Sequence, residues 1–339
     1  MTVPRIGVTL GDPGGVGPEI VLKALAGAHD VPASSYVIYG DSRLVAEEAK
    51  ALDMRIAAAP WQDDMPACAG LFLADIPAPG AARARHRPEA PNGEASFRFF
   101  EAAVTAARAA HLAAVVTAPV SKAAWKLAGL PWRGHTDYLE SFYPGAIMSF
   151  WSDRLLVALF SHHLPLKEAL RRVRKVALLD FFRGLARSAG RVEGGPHAFL
   201  VPGLNPHAGE DGLLGDEEEG EIRPAIEAAR KEGIDVSGPY PPDTVFRHAL
   251  GRRDALVAAL YHDQGLIPFK LEGFEAGVNA TLGLPFARTS PDHGTAFDIA
   301  GKNLADPSSM MAAITTAIKM AATKKARRLA HTKAAADAH

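Results

Sequence analysis

Histidines stand among the first residues beyond three short apolar segments of this 339-residue sequence, each time with a glycine or a proline nearby. The segments and the histidines that follow them are Leu155–Phe160 with His162 and His163, Ala198–Val201 with His207, and Leu256–Tyr261 with His262. Because ligands bind beyond the carboxyl ends of the strands in open α/β sheets, three imidazoles at such positions could converge on one divalent ion. Three protein ligands, with further positions open for substrate, are typical of a catalytic metal site. Glu210 and Asp263 are candidates for carboxylates that fix the imidazole tautomers.

A second set of polar residues has the chemistry to hold a phosphate monoester through charge-assisted hydrogen bonds. It comprises Lys270, Asn279 and Arg288, in a segment rich in turn residues, together with His135 and Thr136 after Gly134. Taken singly, each of these residues is more often a surface residue or a helix cap. Together they favour a phosphorylated ligand.

A glycine-rich turn, Gly11–Pro18, follows the apolar segment Ile6–Leu10 and precedes a helical pattern. Backbone N–H groups at such a turn could hold an anion. The spacing is not GxGxxG, so the standard dinucleotide fingerprint is absent. Asp41, at the end of the second predicted strand, is one candidate for the ribose-binding acid of that motif. The favoured interpretation is a tight structural turn or one that lines an active-site cleft.

The elements that must position these residues alternate along the chain between short apolar segments and longer helical patterns. Such alternation is typical of βα units in a largely parallel sheet with helices on both faces. The predicted strands are Ile6–Leu10, Tyr36–Tyr39, Ala113–Thr117, Leu155–Phe160, Ala198–Val201 and Leu256–Tyr261. The predicted helices are Glu19–Leu25, Ala95–Ala110, Lys167–Ala189, Glu217–Glu232 and Ser309–Ala322. Ile76–Pro91, crowded with proline, glycine and alanine, is predicted to be a surface connection.

Length and composition suit a soluble protein of two α/β domains around a cleft. With 37 basic and 38 acidic side chains, nothing suggests a surface for nucleic acid. The single cysteine, Cys68, cannot form an internal disulfide, which fits the reducing cytoplasm. The N-terminus is unlike a signal peptide, and no segment approaches a membrane span of about 20 apolar residues. The alanine-rich tail with its basic cluster, Lys324–Arg328, is predicted to be a fraying helix or disordered.

Nine segments of the chain together resemble the 4-hydroxythreonine-4-phosphate dehydrogenase family. They are Gly11–Pro18, Gly134–Thr136, His163–Leu166, Asn205–Glu210, Asp243-Thr244, Tyr261–Gly265, Gly277–Asn279, Asp292–Ala296 and Ala300-Gly301. These segments run in the family's order from residue 6 to about residue 322, and several are long, so chance agreement is excluded. The tail beyond lies outside the resemblance.

The resemblance implies a homodimer with its active site in an interdomain cleft near the subunit interface. The family's metal ligands correspond to His163, His207 and His262, and one of the three is supplied by the partner subunit. His163 rather than His162 occupies the motif position, a choice that the residues alone leave open. The family's substrate-binding positions correspond to His135, Thr136, Lys270, Asn279 and Arg288.

The implied fold is α/β, with two α/β/α domains around the active-site cleft, similar to isocitrate and isopropylmalate dehydrogenases. Those enzymes place a stretch like His293–Gly301 against the adenosine half of their cofactor. We therefore expect His293 and Gly294 at the cofactor, with Asp298 as partner of the ribose hydroxyls. An acid there would repel a 2′-phosphate and favour NAD over NADP. The expected domains are 1–130 with 275–322 on the cofactor side, 131–274 for metal and substrate, and a flexible tail 323–339.

The expected reaction is the NAD-dependent oxidation and decarboxylation of 4-phosphooxy-L-threonine to 3-amino-2-oxopropyl phosphate, a step of pyridoxal phosphate biosynthesis. The ion could be zinc, magnesium, manganese or cobalt, and histidine ligands favour the transition metals. Asp243, Lys122 and a hydroxide on the metal are all candidates for the general base, with Asp243 preferred. A paralogue acting on a four-carbon aldonate 4-phosphate would use the same residues. A phosphate acyltransferase of related fold, and a catalytically silent metal-binding protein, are the more distant alternatives.

Overall fold

The computed structural model describes residues 3–26, 33–189, 192, 194–273 and 277–321. The alanine-rich tail, with the flexible segment and basic cluster expected there, lies outside the described residues. The chain forms two compact units, one of residues up to Pro144 with those from Leu284 onward, the other Gly145–Gly283. These boundaries differ from the expected ones because helix His135–Phe142 packs its aromatic side chains within the first unit.

The first unit contains a parallel sheet in which every pairing is parallel. Numbered along the whole chain, its strands are β1 (Arg5–Thr9), β2 (Ser35–Gly40), β3 (Ala59–Pro60), β4 (Gly70–Asp75), β5 (Ala114–Thr117) and β12 (Ala287–Pro291). Their order is β3-β4-β2-β1-β5-β12. The strands β2, β5 and β12 are buried throughout, as expected for a sheet covered on both faces.

The described residues of this unit include six helices, and a capping side chain marks the start of two of them. The six helices are α1 (Gly17–Ala26), α2 (Ser42–Ala51), α3 (Ala90–Arg108), α4 (Lys122–Leu127), α5 (His135–Phe142) and α11 (residues 308–321). Asp41 caps α2 by accepting from Leu44 N, and Ser121 caps α4 by accepting from Ala124 N. The connection predicted at Ile76–Pro91 overlaps the start of α3, which begins at Ala90.

The second unit contains a mixed sheet in the order β11-β6-β7-β10-β8-β9. Its strands are β6 (Ile147–Trp151), β7 (Leu156–Leu159), β8 (Ala198–Pro202), β9 (Val236–Tyr240), β10 (Ala255–Ala259) and β11 (Val278–Leu282). Strand β6 is antiparallel to β7 and β11, whereas β7, β10, β8 and β9 are parallel. The α/β fold class is confirmed, and the expected parallel sheet holds for all strands but β6 and its neighbour β11.

Two of the helices of the second unit differ in detail from those predicted, and the last two of the unit were not predicted. The helices are α6 (Leu166–Arg172), α7 (Lys175–Ser188), α8 (Arg223–Lys231), α9 (Val245–Ala249) and α10 (His262–Gly273). The single helix predicted over Lys167–Ala189 is two, because the backbone leaves the helical conformation at Val173 and Arg174, between α6 and α7. The start of the helix predicted over Glu217–Glu232 is a π-helical turn, Glu218–Ile222. Within the described part of the chain, no helix is long and apolar enough to cross a membrane.

Candidate active site

The three strands that precede the motif histidines lie side by side in the second unit. Strand β10 pairs in parallel with β7 on one side and β8 on the other. The carboxyl ends of all three strands therefore meet at one edge of the sheet, which is where α/β folds place their ligands. This arrangement brings the three histidine-bearing loops to the same edge.

His163 and His262 lie together at this edge, with their ring centroids 5.8 Å apart. They line an open cleft of about 320 Å³ whose walls also include His162, Tyr261 and Asp263. A carboxylate oxygen of Asp263 is 2.7 Å from Nδ1 of His262. This contact orients the ring and leaves Nε2 as the nitrogen that could bind a metal ion. Two imidazoles with a supporting carboxylate suit a transition-metal ion by donor chemistry.

His207 is exposed and does not line that cleft. Its loop continues for several residues beyond β8, and its Nδ1 contacts the Glu210 carboxylate. That contact raises the pKa of His207, and the charge of Asp243 adds a smaller effect in the same direction. No group of three or more His, Cys, Asp or Glu side chains that could hold a metal occurs among the described residues. One chain thus brings together two of the three expected ligands.

Two of these histidines have backbone angles that L-residues rarely adopt. His163 has φ +50°, and every residue from His207 to Asp211 has a positive φ, between 43° and 82°. Left-handed backbone costs roughly 1–2 kcal/mol for each residue other than glycine. Such conformations persist only where surrounding contacts determine them, and they occur often at functional sites.

Arg288, which is buried, and His135, which is partly buried, form a polar pair in the first unit. Arg288 lies on β12 beside β5, and its Nη2 donates to Thr117 Oγ1 at 2.7 Å. The same nitrogen is 3.2 Å from Nδ1 of His135, the first residue of α5. The His135 ring packs against Phe100 at 4.4 Å between centroids and against Trp125 at 5.6 Å.

The protonation states of this pair follow from burial. Burial lowers the pKa of His135 well below 6.5, and the positive charges of Arg288 and Lys122 lower it further. Burial also lowers the pKa of Arg288 to about 10, which leaves the guanidinium charged at neutral pH. A neutral ring that accepts from Arg288 through Nδ1 carries its proton on Nε2. Nε2 is buried and has no hydrogen-bond partner in the described part of the chain, so its N–H is an unsatisfied donor in this structure.

Removing His135 should change the dependence of stability on pH. Because the folded-state pKa of the ring lies well below 6.5, the unfolded chain binds more protons below that pH, and the free energy of unfolding falls as pH decreases. We expect the slope to be shallower in His135→Phe than in the wild type, by up to about one bound proton. Urea unfolding at pH values between about 5 and 7.5 measures both slopes.

Asp12 changes the pH dependence of stability in the opposite direction, and comparing the two proteins corrects for its effect. Burial raises its pKa from 3.8 to about 6, so its contribution to stability is lost as pH rises through that interval. The effect is present in both proteins and cancels in their difference. Equal slopes for the two proteins would contradict the assignment of a neutral, buried His135.

The five residues expected to bind substrate are divided between the two units. His135, Thr136 and Arg288 belong to the first, whereas Lys270 and Asn279 belong to the second. Lys270 is exposed on α10, and Asn279 is half-buried on β11 opposite Phe150. Each unit therefore offers its own polar set for a substrate.

Three loops of the first unit meet where the cofactor is expected. In the glycine-rich turn, Val16 N donates to Thr295 O at 2.9 Å, and a Cβ on Gly15 would stand 2.6 Å from that same oxygen. Only glycine therefore fits there. The segment before α3 joins them through His86, whose Nδ1 is 2.8 Å from Phe297 O.

The residues named for the cofactor lie on the exposed side of these loops. His293, Gly294 and Asp298 are exposed, as a residue that contacts a diffusible cofactor must be before the cofactor binds. Asp41 has another role, because its two carboxylate oxygens accept from Leu44 N and Ala78 N. It is therefore the N-cap of α2.

Several residues that shape the two sites carry no signal in the local sequence. They are Asp12, Thr117, Ser161, Glu218 and Gln264, all of them buried. Asp12, for example, accepts from the backbone N–H groups of Gly14 and Ser121 and so joins the loops after β1 and β5. Each of them also binds a partner more than ten residues away, and periodicity and spacing do not reveal such contacts.

The parallel strands end in polar loops, two histidines share one cleft, and a buried arginine offers a positive charge to an anion. This architecture is that of an α/β enzyme. The chain belongs to the family described as pyridoxal phosphate biosynthetic protein PdxA, whose model matches residues 32–317.

Similar proteins extend over almost the whole chain. A 4-hydroxythreonine-4-phosphate dehydrogenase of Beijerinckia indica is 42% identical, over 93% of this chain and 94% of its own. One of Desulforapulum autotrophicum is 39% identical, over 96% and 98%. The crystal structure of 4-hydroxythreonine-4-phosphate dehydrogenase from Klebsiella pneumoniae matches 95% of this chain and 98% of its own, with TM-score 0.82 and 37% identity. A terephthalate 1,2-cis-dihydrodiol dehydrogenase from Burkholderia xenovorans matches 93% and 98%, with TM-score 0.65 and 27% identity.

Proposed function

We propose that this protein is a 4-hydroxythreonine-4-phosphate dehydrogenase, which oxidises 4-phosphooxy-L-threonine with NAD⁺ in the biosynthesis of pyridoxal phosphate. The observation that carries the proposal is the near-full-length similarity to relatives of that name, at about 40% identity. The overall conversion yields 3-amino-2-oxopropyl phosphate, CO₂ and NADH. Hydride leaves C3, and the resulting β-keto acid loses its carboxyl group.

The phosphate is held, in this proposal, by Arg288 and His135. A buried guanidinium forms strong charge-assisted hydrogen bonds to phosphate oxygens, and the Nε2–H of His135 adds a neutral donor. Thr136, Lys270 and Asn279 complete the set. Holding the phosphate, which does not react, positions the carbinol carbon for hydride transfer. The dihydrodiol named for the Burkholderia xenovorans relative has no phosphate, so this set favours the phosphorylated substrate.

His163, His207 and His262 are the proposed metal ligands, within a homodimer. Since His163 and His262 share one cleft and His207 does not line it, we assign His207 to the metal site of the partner subunit. When bound, a divalent ion lowers the pKa of the substrate hydroxyl and withdraws electrons from the carbonyl that forms. Asp263 and Glu210 keep the imidazoles of His262 and His207 oriented for this role.

Asp243 is the proposed general base for the C3 hydroxyl. It is exposed on the loop between β9 and α9, and its charge acts on His207. A carboxylate there can accept the hydroxyl proton as the hydride leaves. Lys122, exposed at the start of α4, is the other protein side chain considered for this step.

The adenosine half of NAD is assigned to His293, Gly294 and Asp298. We expect Asp298→Ala to raise the KM for NAD and to lower the KM for NADP, because the carboxylate no longer binds the ribose hydroxyls or repels a 2′-phosphate. Steady-state kinetics with both cofactors measures the change. Asp153→Ala removes an exposed aspartate of the second unit, which pairs with Arg253, and serves as the control. Unchanged constants for both cofactors in Asp298→Ala would contradict this assignment.

The proposed activity is tested by mixing the metal-loaded protein with NAD⁺ and 4-phosphooxy-L-threonine and following NADH absorbance. A four-carbon aldonate 4-phosphate serves as parallel substrate, and a chelator as control. Chelator-sensitive NADH formation from the phosphothreonine supports the proposal. Activity with the aldonate phosphate alone would move the enzyme to sugar-acid catabolism. Transfer of an acyl group from acyl-coenzyme A to phosphate, without NADH formation, would replace the dehydrogenase by an acyltransferase.

A further inference from the structure

Gln264 uses both ends of its side-chain amide inside the second unit. It lies in the first turn of α10, and only 8% of its surface is exposed. Its Oε1 accepts from Leu260 N at 2.8 Å, and its Nε2 donates to Gly203 O at 2.8 Å. Leu260 precedes His262 in one loop and Gly203 precedes His207 in another. A single buried amide therefore ties together two of the histidine-bearing loops.

The same hydrogen bonding extends to the third loop through Ser161. This residue precedes His163, and its hydroxyl donates to Leu260 O at 2.8 Å. Leu260 is thus bonded through its N–H to Gln264 and through its carbonyl to Ser161. The series crosses the three neighbouring strands β7, β10 and β8 in their order in the sheet.

Glu218 continues this bonding along the loop that follows β8. It is 1% exposed, and its Oε1 accepts from Leu204 N at 2.7 Å and Asn205 N at 2.8 Å. Leu204 is the next residue after Gly203, which binds Gln264. The stretch that leads to His207 is therefore fixed from both sides.

These hydrogen bonds matter because the sheet alone does not determine the conformation of the loops. Strand spacing of about 4.8 Å fixes the strand ends but leaves the residues beyond them free to turn in several ways. His163 and His207 also adopt left-handed backbone angles, which persist only under surrounding constraint. A buried amide costs free energy unless both of its halves are bonded, and Gln264 meets that condition.

We propose that Gln264 is a positioning residue for the metal histidines, with Ser161 as its link to the loop of His163. The proposal rests on the proposed function, because it presupposes that these histidines bind a divalent ion. Neither end of the amide is dispensable. Methionine, of similar length, loses both hydrogen bonds, and glutamate keeps the acceptor for Leu260 but loses the donor to Gly203 at neutral pH.

Cobalt titration of the metal-free full-length protein tests this role, with the visible absorption of bound Co²⁺ as a report of ligand geometry. We expect Gln264→Met to weaken Co²⁺ binding by roughly 10- to 100-fold, the usual effect of losing a residue that supports metal ligands, and to change the visible spectrum. Gln264→Glu and Ser161→Ala should show smaller changes of the same kind. They also carry the test if Gln264→Met does not fold.

Ser149→Ala is the matched control for Ser161→Ala. Ser149 is a buried serine of the same unit whose hydroxyl donates to Ala280 O at 2.7 Å, on β6 and away from the histidine loops. It should lower the Tm of the metal-free protein and leave both cobalt affinity and spectrum at wild-type values. If the Gln264 and Ser161 variants behave like this control, the positioning role is overturned. If the wild-type protein binds no cobalt, the proposed metal centre fails, and this inference fails with it.

Discussion

Mixing the subunits of two inactive variants, His163→Ala and His207→Ala, should restore activity. In a mixed dimer the His207→Ala subunit supplies His163 and His262, and the partner chain supplies the missing His207. With random exchange, half of the dimers are mixed and one of their two sites is complete, so about a quarter of wild-type activity is expected. Each variant alone should lose metal-dependent turnover but remain folded, because His163 and His207 are exposed loop residues rather than core.

A second mixture provides the control for this experiment. His163 and His262 share one cleft, so no dimer of His163→Ala with His262→Ala contains a complete site, and this mixture should stay inactive. Chelator added to the active mixture should abolish the restored turnover. If the first mixture stays inactive while exchange is verified by mass, His207 is not shared between subunits. Activity of His207→Ala alone at limiting metal would remove it from the ligand set.

Replacing Arg288 by methionine should weaken substrate binding strongly while leaving the cofactor unaffected. The loss of charged hydrogen bonds to phosphate costs about 1.5–3 kcal/mol, which corresponds to roughly a 10- to 150-fold rise in the KM for the phosphorylated substrate. Methionine fills much of the buried space left by the guanidinium, so the first unit should remain folded. Steady-state kinetics with substrate and NAD varied separately measures the two effects.

Two further variants separate charge from geometry at this position. Arg288→Lys keeps a positive charge but loses the planar fork, so it should recover only part of the affinity. Thr117→Val removes the hydroxyl that accepts from Arg288 and should give a smaller rise in the same KM. A rise in the KM for NAD larger than that for substrate would assign Arg288 to the cofactor instead.

Much of this site could be predicted because its signals are local in sequence. A strand that ends in a histidine can be recognised within ten residues, and the alternation of strands and helices places those ends at one edge of a sheet. Polar residues such as His135 and Arg288 were found in the same way, by residue type and neighbouring turn residues. The break between α6 and α7 was missed, because Val173 is apolar and fits the helical periodicity that it interrupts.

The sequence by itself determined the fold class, six of the twelve described strands and the residue types available to metal and phosphate. Only the tertiary structure decided that His163 and His262 share a cleft without His207, and that Arg288 meets His135. It also decided that Gln264 joins the histidine loops. These relations depend on which strands are neighbours in the sheet and on hydrogen bonds between residues far apart in the chain. No local pattern encodes such contacts, since they follow from the packing of whole elements.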